Sequence, residues 1–127
     1  MKTRFDPREN LIIVSAKVTG PKDSVVVKLA LDTGASSTLI DEESMELIGY
    51  SPNDARGEVD VITGSGVARA PQIEVRRIEA LGVERRTLTV LCHDLPAGSP
   101  VDGLLGLDFL RKRRLKLDFK KGIVTLD

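Results

Sequence analysis

The chain has very few aromatic residues and a single cysteine. Aromatic side chains make up 3% of its 127 residues, and tryptophan is absent. Because Cys92 has no cysteine partner within the chain, a small scaffold held together by disulfides is excluded and a reducing compartment is favoured. Hydrophobic residues make up 41% of the chain. Because aromatic residues are scarce, the core must be built from valine, leucine and isoleucine. Valine and isoleucine favour pleated sheets.

The sequence also lacks a net charge, a long apolar run and an apolar leader. The 19 Lys and Arg residues balance the 19 Asp and Glu residues, so no overall positive field would attract nucleic acid. No apolar stretch approaches the roughly 18 residues of a membrane span, and residues 1–7 (MKTRFDP) lack the apolar centre of a signal peptide. We therefore expect one soluble domain over residues 1–127, in the cytoplasm and without membrane contact.

Apolar runs separated by turn signals predict a mainly β domain with about two short helices. The predicted helices cover 42–48, with Asp41 as the N-cap, and 108–113. Pro71 indicates that its strand is bent or lies at a sheet edge there. The strand candidates, including an apolar segment at 101–106, are 11–19, 25–31, 38–40, 58–62, 67–75, 78–80, 87–92, 101–106, 115–119 and 123–126.

The segment 29–36 (LALDTGAS) carries the clearest chemical signal. Asp32 directly follows an apolar strand, Thr33 can hydrogen-bond across a tight turn, and Gly34 lets backbone approach closely. Taken alone, Asp-Thr-Gly is also an ordinary way to build a turn, with Asp32 as its cap. The flanking sequence must therefore indicate whether Asp32 caps a turn or belongs to a catalytic site.

Those flanks resemble the active-site region of aspartic proteases of the retropepsin type. That family has an apolar pair before Asp-Thr-Gly-Ala and a late apolar-apolar-Gly triplet, which here is Leu104-Leu105-Gly106. Between the two it has a glycine-tipped hairpin, the flap, which residues 62–67 (ITGSGV) match in position and type. The resemblance implies a single-lobe acid protease fold with a closed β-barrel. The helix predicted over 42–48 fits cellular single-domain members better than viral ones.

The resemblance also implies a shared active site. One Asp-Thr-Gly motif in 127 residues supplies one carboxylate, so a homodimer would bring Asp32 of each chain together. The expected activity is endopeptidase cleavage of a protein or peptide by water activated between these carboxylates, without a metal or cofactor. The supporting residues that the resemblance implies are Thr33, Gly34 and Ala35 in the active-site loop, Thr63, Gly64, Ser65 and Gly66 in the flap, and Leu104, Leu105 and Gly106 beside the dyad.

The sequence departs from the viral pattern where substrate and dimer contacts are expected. Viral members tend to carry acidic residues after Asp-Thr-Gly-Ala, which grip the substrate backbone and pair with an arginine near the late helix. Here Ser36 and Ser37 occupy those positions, and Leu107-Asp108 follows the late glycine. A dimeric peptide-binding module that cleaves nothing is therefore the alternative. The only tyrosine, Tyr50, lies outside the predicted flap.

Three weaker patterns favour simpler interpretations. His93, Asp94, Asp102 and Asp108 lack the spacing of a metal site. Cys92 and His93 are neighbours in a predicted strand, so their side chains point to opposite faces and would not pair as a nucleophile and its base. The basic residues near the end of the chain indicate a solvated face rather than a nucleic-acid site, because aromatic residues for base stacking are missing. They are Arg111, Lys112, Arg113, Arg114, Lys116, Lys120 and Lys121.

The chain ends are candidate dimer contacts. In this branch of the resembled family the dimer is held partly by the termini. We therefore expect residues 11–14 and 123–126 to form interface strands.

Overall fold

The computed structural model describes residues 1–63 and 66–127. The α-helices are α1 (Glu42–Leu47) and α2 (Leu107–Leu110), and a 3₁₀ turn covers Pro52–Asp54. The strands in chain order are β1 (Lys2–Arg4), β2 (Ile13–Thr19), β3 (Ser24–Leu31), β4 (Leu39–Ile40), β5 (Gly57–Thr63), β6 (Gly66–Ala80), β7 (Val83–Cys92), β8 (Gly103–Leu105), β9 (Leu115–Asp118) and β10 (Ile123–Leu126). The predicted mainly β class is confirmed.

Six of these strands close into a barrel. They lie in the order β2-β3-β8-β4-β7-β6, and β6 pairs back onto β2, for example Ile78 with Val18. β5 continues the sheet outside the closed barrel, hydrogen-bonded to β6. The β3–β8 and β4–β7 pairs are parallel, and the other pairs in the barrel are antiparallel.

The barrel is filled almost entirely by aliphatic side chains. Along β2, Val14, Ala16 and Val18 are buried and the residues between them are exposed, as a strand with one face on a core requires. Phe109 is the largest fully buried side chain. Complete burial of a leucine or isoleucine, as at Leu29, contributes about 1.5–3 kcal/mol. A core of this kind supports the barrel without disulfides.

The middle of the chain differs from the prediction. Residues 66–80 form one strand, β6, rather than two at 67–75 and 78–80. The strand pairs with β5 up to Gln72 and with β7 from Gln72 onward, and its pairing with β7 continues on both sides of Arg76. The backbone N–H of Arg76 donates to the hydroxyl of Tyr50 at 3.0 Å. Pro71 lies in the part of β6 that pairs with β5 alone, as its missing N–H allows.

Helix α2 is also shorter than predicted. It ends at Leu110 rather than residue 113, because Arg111 is extended and Lys112 has a φ of 64°. Helix α1 begins after Asp41, whose carboxylate accepts a hydrogen bond from Ser44 N as expected of an N-cap. β7 begins at Val83, four residues before the predicted strand, since the turn at 81–82 is tight.

The chain ends form a second, three-stranded sheet in the order β1-β10-β9. β1 was not predicted. Because β10 is the central strand, the predicted interface segment 123–126 is already paired on both sides within the chain. Residues 11–14 lead into β2, where Val14 pairs with Leu29 inside the barrel sheet. Within the described part of the chain, no helix has the length and apolar character needed to cross a membrane.

Gly103 provides a test of how tightly the barrel closes. A Cβ atom at Gly103 would lie 1.9 Å from the backbone oxygen of Leu39, so Gly103→Ala must push β8 away from β4. We expect it to lower the free energy of unfolding by about 3 kcal/mol in urea denaturation. The control is Gly57→Ala, whose nearest atom is the movable Gln72 Oε1 at 3.1 Å. Equal urea midpoints for Gly103→Ala and Gly57→Ala would contradict the close packing of β8 against β4.

Candidate active site

Asp32 lies where β3 leaves the barrel. Leu29 and Ala30 are buried, Leu31 is half-buried, and the backbone N–H of Asp32 donates to Leu105 O at 3.0 Å. The N–H of Gly34 donates to Asp32 Oδ1 at 2.8 Å. Oδ2 accepts no hydrogen bond from any residue that the structure describes. The carboxylate is thus oriented by its own turn and retains one oxygen for another partner.

The segment 103–107 lies directly against this turn. β3 and β8 are parallel, with Ala30 opposite Leu104 and Leu31 opposite Leu105. A Cβ on Gly106 would lie 2.8 Å from Ala35 O and 2.8 Å from Ser37 O, so only glycine allows this approach. The structure therefore brings the two sequence-distant motifs together. The supporting role of Leu104, Leu105 and Gly106 stays a prediction.

The turn presents one side to solvent. Thr33 and Gly34 are exposed, while Ala35 is half-buried and its carbonyl accepts a hydrogen bond from Leu107 N at 2.8 Å. Beside Thr33 is an open recess of about 520 Å³ whose lining includes Leu107, Leu110 and Leu115 together with Arg111, Lys112 and Arg113. The surface next to Asp32 thus has an apolar part and a basic part.

The predicted flap is only partly described. Gly64 and Ser65 lie outside the described residues; Thr63 ends β5 and Gly66 begins β6, and the two are opposite each other across the hairpin. Gly66 has a φ of 123°, a conformation that favours glycine. The cross-strand pair Ile62 and Val67 is exposed to 88% and 68%. The hairpin therefore carries an uncovered apolar pair next to its tip.

One polar pair was not identified from the sequence. Thr38 is fully buried, and the half-buried carboxylate of Asp108 accepts hydrogen bonds from Thr38 N at 2.9 Å and Thr38 Oγ1 at 2.7 Å. Asp108 follows the late glycine by two residues, a position noted in the sequence only as a departure from the viral pattern. No local signal identifies the pair, because the two residues lie 70 positions apart.

Comparison with known proteins decides the family. Residues 18–112 match the sequence profile of the family described as gag-polyprotein putative aspartyl protease. The chain belongs to this family. A search of curated protein sequences found no match.

The fold of this aspartyl protease family member is also that of a solved structure. The crystal structure of a retropepsin-like aspartic protease from Rickettsia conorii superimposes with a TM-score of 0.74, covering 99% of this chain and 89% of that one. At 19% identity, the likeness concerns the fold. The predicted retropepsin-like barrel is confirmed.

The carboxylates considered as a metal site each accept a hydrogen bond from a different segment of the backbone. Asp94 Oδ1 accepts from Glu42 N at 2.9 Å, Asp102 Oδ2 accepts from Lys28 N at 2.8 Å, and Asp108 faces Thr38. The His93 ring contacts the backbone oxygen of Asp94. Among the residues described, no group of three or more potential ligands converges on one point.

Burial raises the pKa of the Cys92 thiol to about 11, and the charges of Glu42, Asp94 and Asp41 add to this effect. Because the thiolate is the reactive form, we expect an alkylating reagent at pH 7.5 to modify folded Cys92 about 100-fold more slowly than the urea-unfolded chain. The rate should climb as the pH approaches 11. Equal rates at pH 7.5 would contradict the buried environment.

Proposed function

We propose that the chain is an aspartic endopeptidase that acts as a homodimer, with Asp32 of each protomer forming the catalytic pair. The observation that carries this proposal is the Asp32 turn. It holds one carboxylate at the edge of the barrel, oriented by Gly34 N–H and with Oδ2 unengaged among the described residues. The membership of an aspartyl protease family supports the reaction class.

The surface around Asp32 supports assembly with a second copy. Thr33 and Gly34 are exposed, and the adjoining recess offers the half-buried Leu107 and Leu115 to a partner. A twofold axis passing next to Asp32 would bury this surface and bring the two Asp32 turns together. The edges of the terminal sheet that remain unpaired in the chain are β1 and β9, so these strands rather than β10 are available to the partner.

The paired carboxylates would supply the acid and the base. At about 3 Å apart they cannot both be ionised cheaply, so they share one proton. The ionised member takes a proton from water, whose oxygen attacks the peptide carbonyl carbon, while the protonated member donates to the carbonyl oxygen. The tetrahedral adduct then breaks its C–N bond as a proton passes to the leaving nitrogen. Gly34 N–H keeps each Asp32 in place.

The expected substrate is a protein or peptide in extended conformation. Such a segment can add backbone hydrogen bonds to the β5–β6 hairpin like an extra strand. The apolar pair Ile62 and Val67 would be partly covered when the hairpin closes on substrate. The proposed reaction uses no cofactor or metal. The proposal includes no nucleic-acid or membrane partner. A reduced, buried Cys92 fits a reducing compartment such as the cytoplasm.

The first test is cleavage of an unbiased peptide library between pH 3 and 8. We expect Asp32→Asn to lower cleavage by about 1000-fold or more, because the general base is removed. The matched control is Asp23→Asn, a carboxylate next to the opposite end of β3, which should cleave like wild type. Full activity in Asp32→Asn would refute the aspartic mechanism.

The same experiment distinguishes the peptide-binding alternative, which Ser36 and Ser37 motivate because acidic residues that grip substrate are absent there. Peptide binding by a confirmed dimer with no turnover at any pH in this range would favour that alternative.

A mixing experiment tests whether one site needs two chains. After unfolding and refolding wild type with an equal amount of Asp32→Asn, about one quarter of the dimers would carry two intact Asp32 residues. Activity per wild-type chain should then fall to about half. Mixing with Asp23→Asn, which is itself active, should leave the activity per total chain unchanged. An unchanged value in the first mixture would show that each chain works alone. This design avoids truncating β10, whose Val124 and Leu126 belong to the core.

A further inference from the structure

The loop that carries Asp32 is tied to the α2 region by one buried side-chain network. Asp108 Oδ2 accepts from Thr38 N at 2.9 Å, and Oδ1 accepts from Thr38 Oγ1 at 2.7 Å and from Phe109 N at 2.8 Å. Every partner of this carboxyl group is therefore a donor, and both of its oxygens act as acceptors.

The direction of the hydrogen bonds is fixed as far as Gly106. The single hydroxyl proton of Thr38 is given to Asp108, so Thr38 Oγ1 must act as the acceptor toward Gly106 N, which lies at 3.2 Å. Gly106 in turn lies against the carbonyls of Ala35 and Ser37. Asp108 thus orients the Thr38 hydroxyl, which accepts a hydrogen bond from Gly106 N, and Gly106 in turn contacts the Asp32 loop.

Other side chains at this place do not provide the same connection. Ser36 and Ser37 make no side-chain hydrogen bond among the residues described, and Leu107 is apolar. Outside the Asp108–Thr38 network, the loop is held to 105–107 by backbone hydrogen bonds, from Asp32 N to Leu105 O and from Leu107 N to Ala35 O. α2 itself is fixed from the other side, where Arg85 Nε donates to Phe109 O at 3.0 Å.

We propose that Asp108 is a positioning residue for catalysis: acting through Thr38, its carboxylate fixes the Asp32 loop against Gly106 and so sets where the catalytic carboxylate stands. This inference rests on the proposed peptidase function and adds a residue to its machinery. A misplacement of about 1 Å at a reacting group can cost about 100-fold in rate. Loss of the network should therefore reduce turnover more than substrate binding.

The test compares three variants with wild type in the peptidase assay. Thr38→Val keeps the side-chain shape and removes the hydroxyl, Thr38→Ser restores the hydroxyl, and Asp108→Ala removes the acceptor. The number of assembled sites is titrated with a peptide whose scissile bond is replaced by a non-hydrolysable secondary alcohol, so that rates refer to folded dimers. Hydrogen exchange of the Gly34 and Gly106 amides is measured on the same samples.

The chain offers a matched control for the loss of a hydroxyl. Thr19 Oγ1 is buried and has no hydrogen-bond partner among the described residues, so Thr19→Val removes a hydroxyl without breaking a hydrogen bond within that part of the chain. Asp94→Ala is the control for the loss of a carboxylate that accepts a backbone N–H, because its partner is Glu42 at the start of α1. Neither residue has a place in the catalytic machinery.

We expect kcat per titrated site to fall about 10- to 100-fold in Thr38→Val and Asp108→Ala, with KM changed by less than about threefold. Thr38→Ser should recover most of the rate, and both controls should match wild type. Amide exchange at Gly34 and Gly106 should be faster in the two impaired variants only.

Two results would overturn the proposal, and they are distinguishable. If wild type cleaves and Asp32→Asn does not, but Thr38→Val and Asp108→Ala keep wild-type kcat, the network is merely structural while the peptidase function stands. If wild type itself shows no turnover as a dimer, the peptidase function fails and the positioning role fails with it.

Discussion

The backbones of residues 29–40 and 103–107 approach each other so closely that no Cβ atom fits at Gly103 or Gly106. Gly103 lies against the Leu39 carbonyl and Gly106 against the carbonyls of Ala35 and Ser37. This contact joins β3 to β8, brings the Asp32 turn to the edge of the barrel and leaves Asp32 N within hydrogen-bond reach of Leu105 O. The geometry of the site depends on it, because a displacement of β8 would move the turn that orients the carboxylate.

The contact between these two segments is stabilised by the aliphatic core of the barrel. Side chains from β2, β3, β6, β7 and β8 fill the interior, and Phe109 anchors α2 to it. A core without disulfides depends on packing alone, and the Asp32 turn is held to this core by backbone hydrogen bonds with Leu105 and Leu107. The polar atoms of the buried Thr38 and the half-buried Asp108 are tolerated there because each is hydrogen-bonded.

Asp32 is presented at the edge of the barrel as a single carboxylate. Gly34 N–H engages Oδ1, and the exposed Thr33 and Gly34 adjoin a recess with leucines in its lining. In the proposed homodimer, a second copy would supply the other carboxylate and cover part of this apolar surface. The barrel of each chain would then carry one of the two catalytic groups.

Local sequence was sufficient for most of the elements and for the two motifs. Asp41 before α1 and the apolar runs at 25–31 and 123–126 are local signals, and each predicted its element well. The single strand across Arg76-Arg77 was missed because a polar pair looks like a break unless its sheet partners are known. β1 was missed because three residues with one half-buried side chain carry too little periodicity to be recognised.

By itself, the sequence determined the class of the fold and the family, and it pointed to Asp32 as the candidate catalytic residue, since these depend on residue types at short spacings. Only the tertiary structure decided which residues lie against the Asp32 turn. Thr38 and Asp108 are 70 residues apart, and no local pattern shows that a hydroxyl and a carboxylate will face one another. Thr38 directly precedes β4 and Asp108 follows β8, so their pairing follows from the antiparallel register of β4 and β8, in which Leu39 lies opposite Leu104. That register is set by packing across the whole barrel.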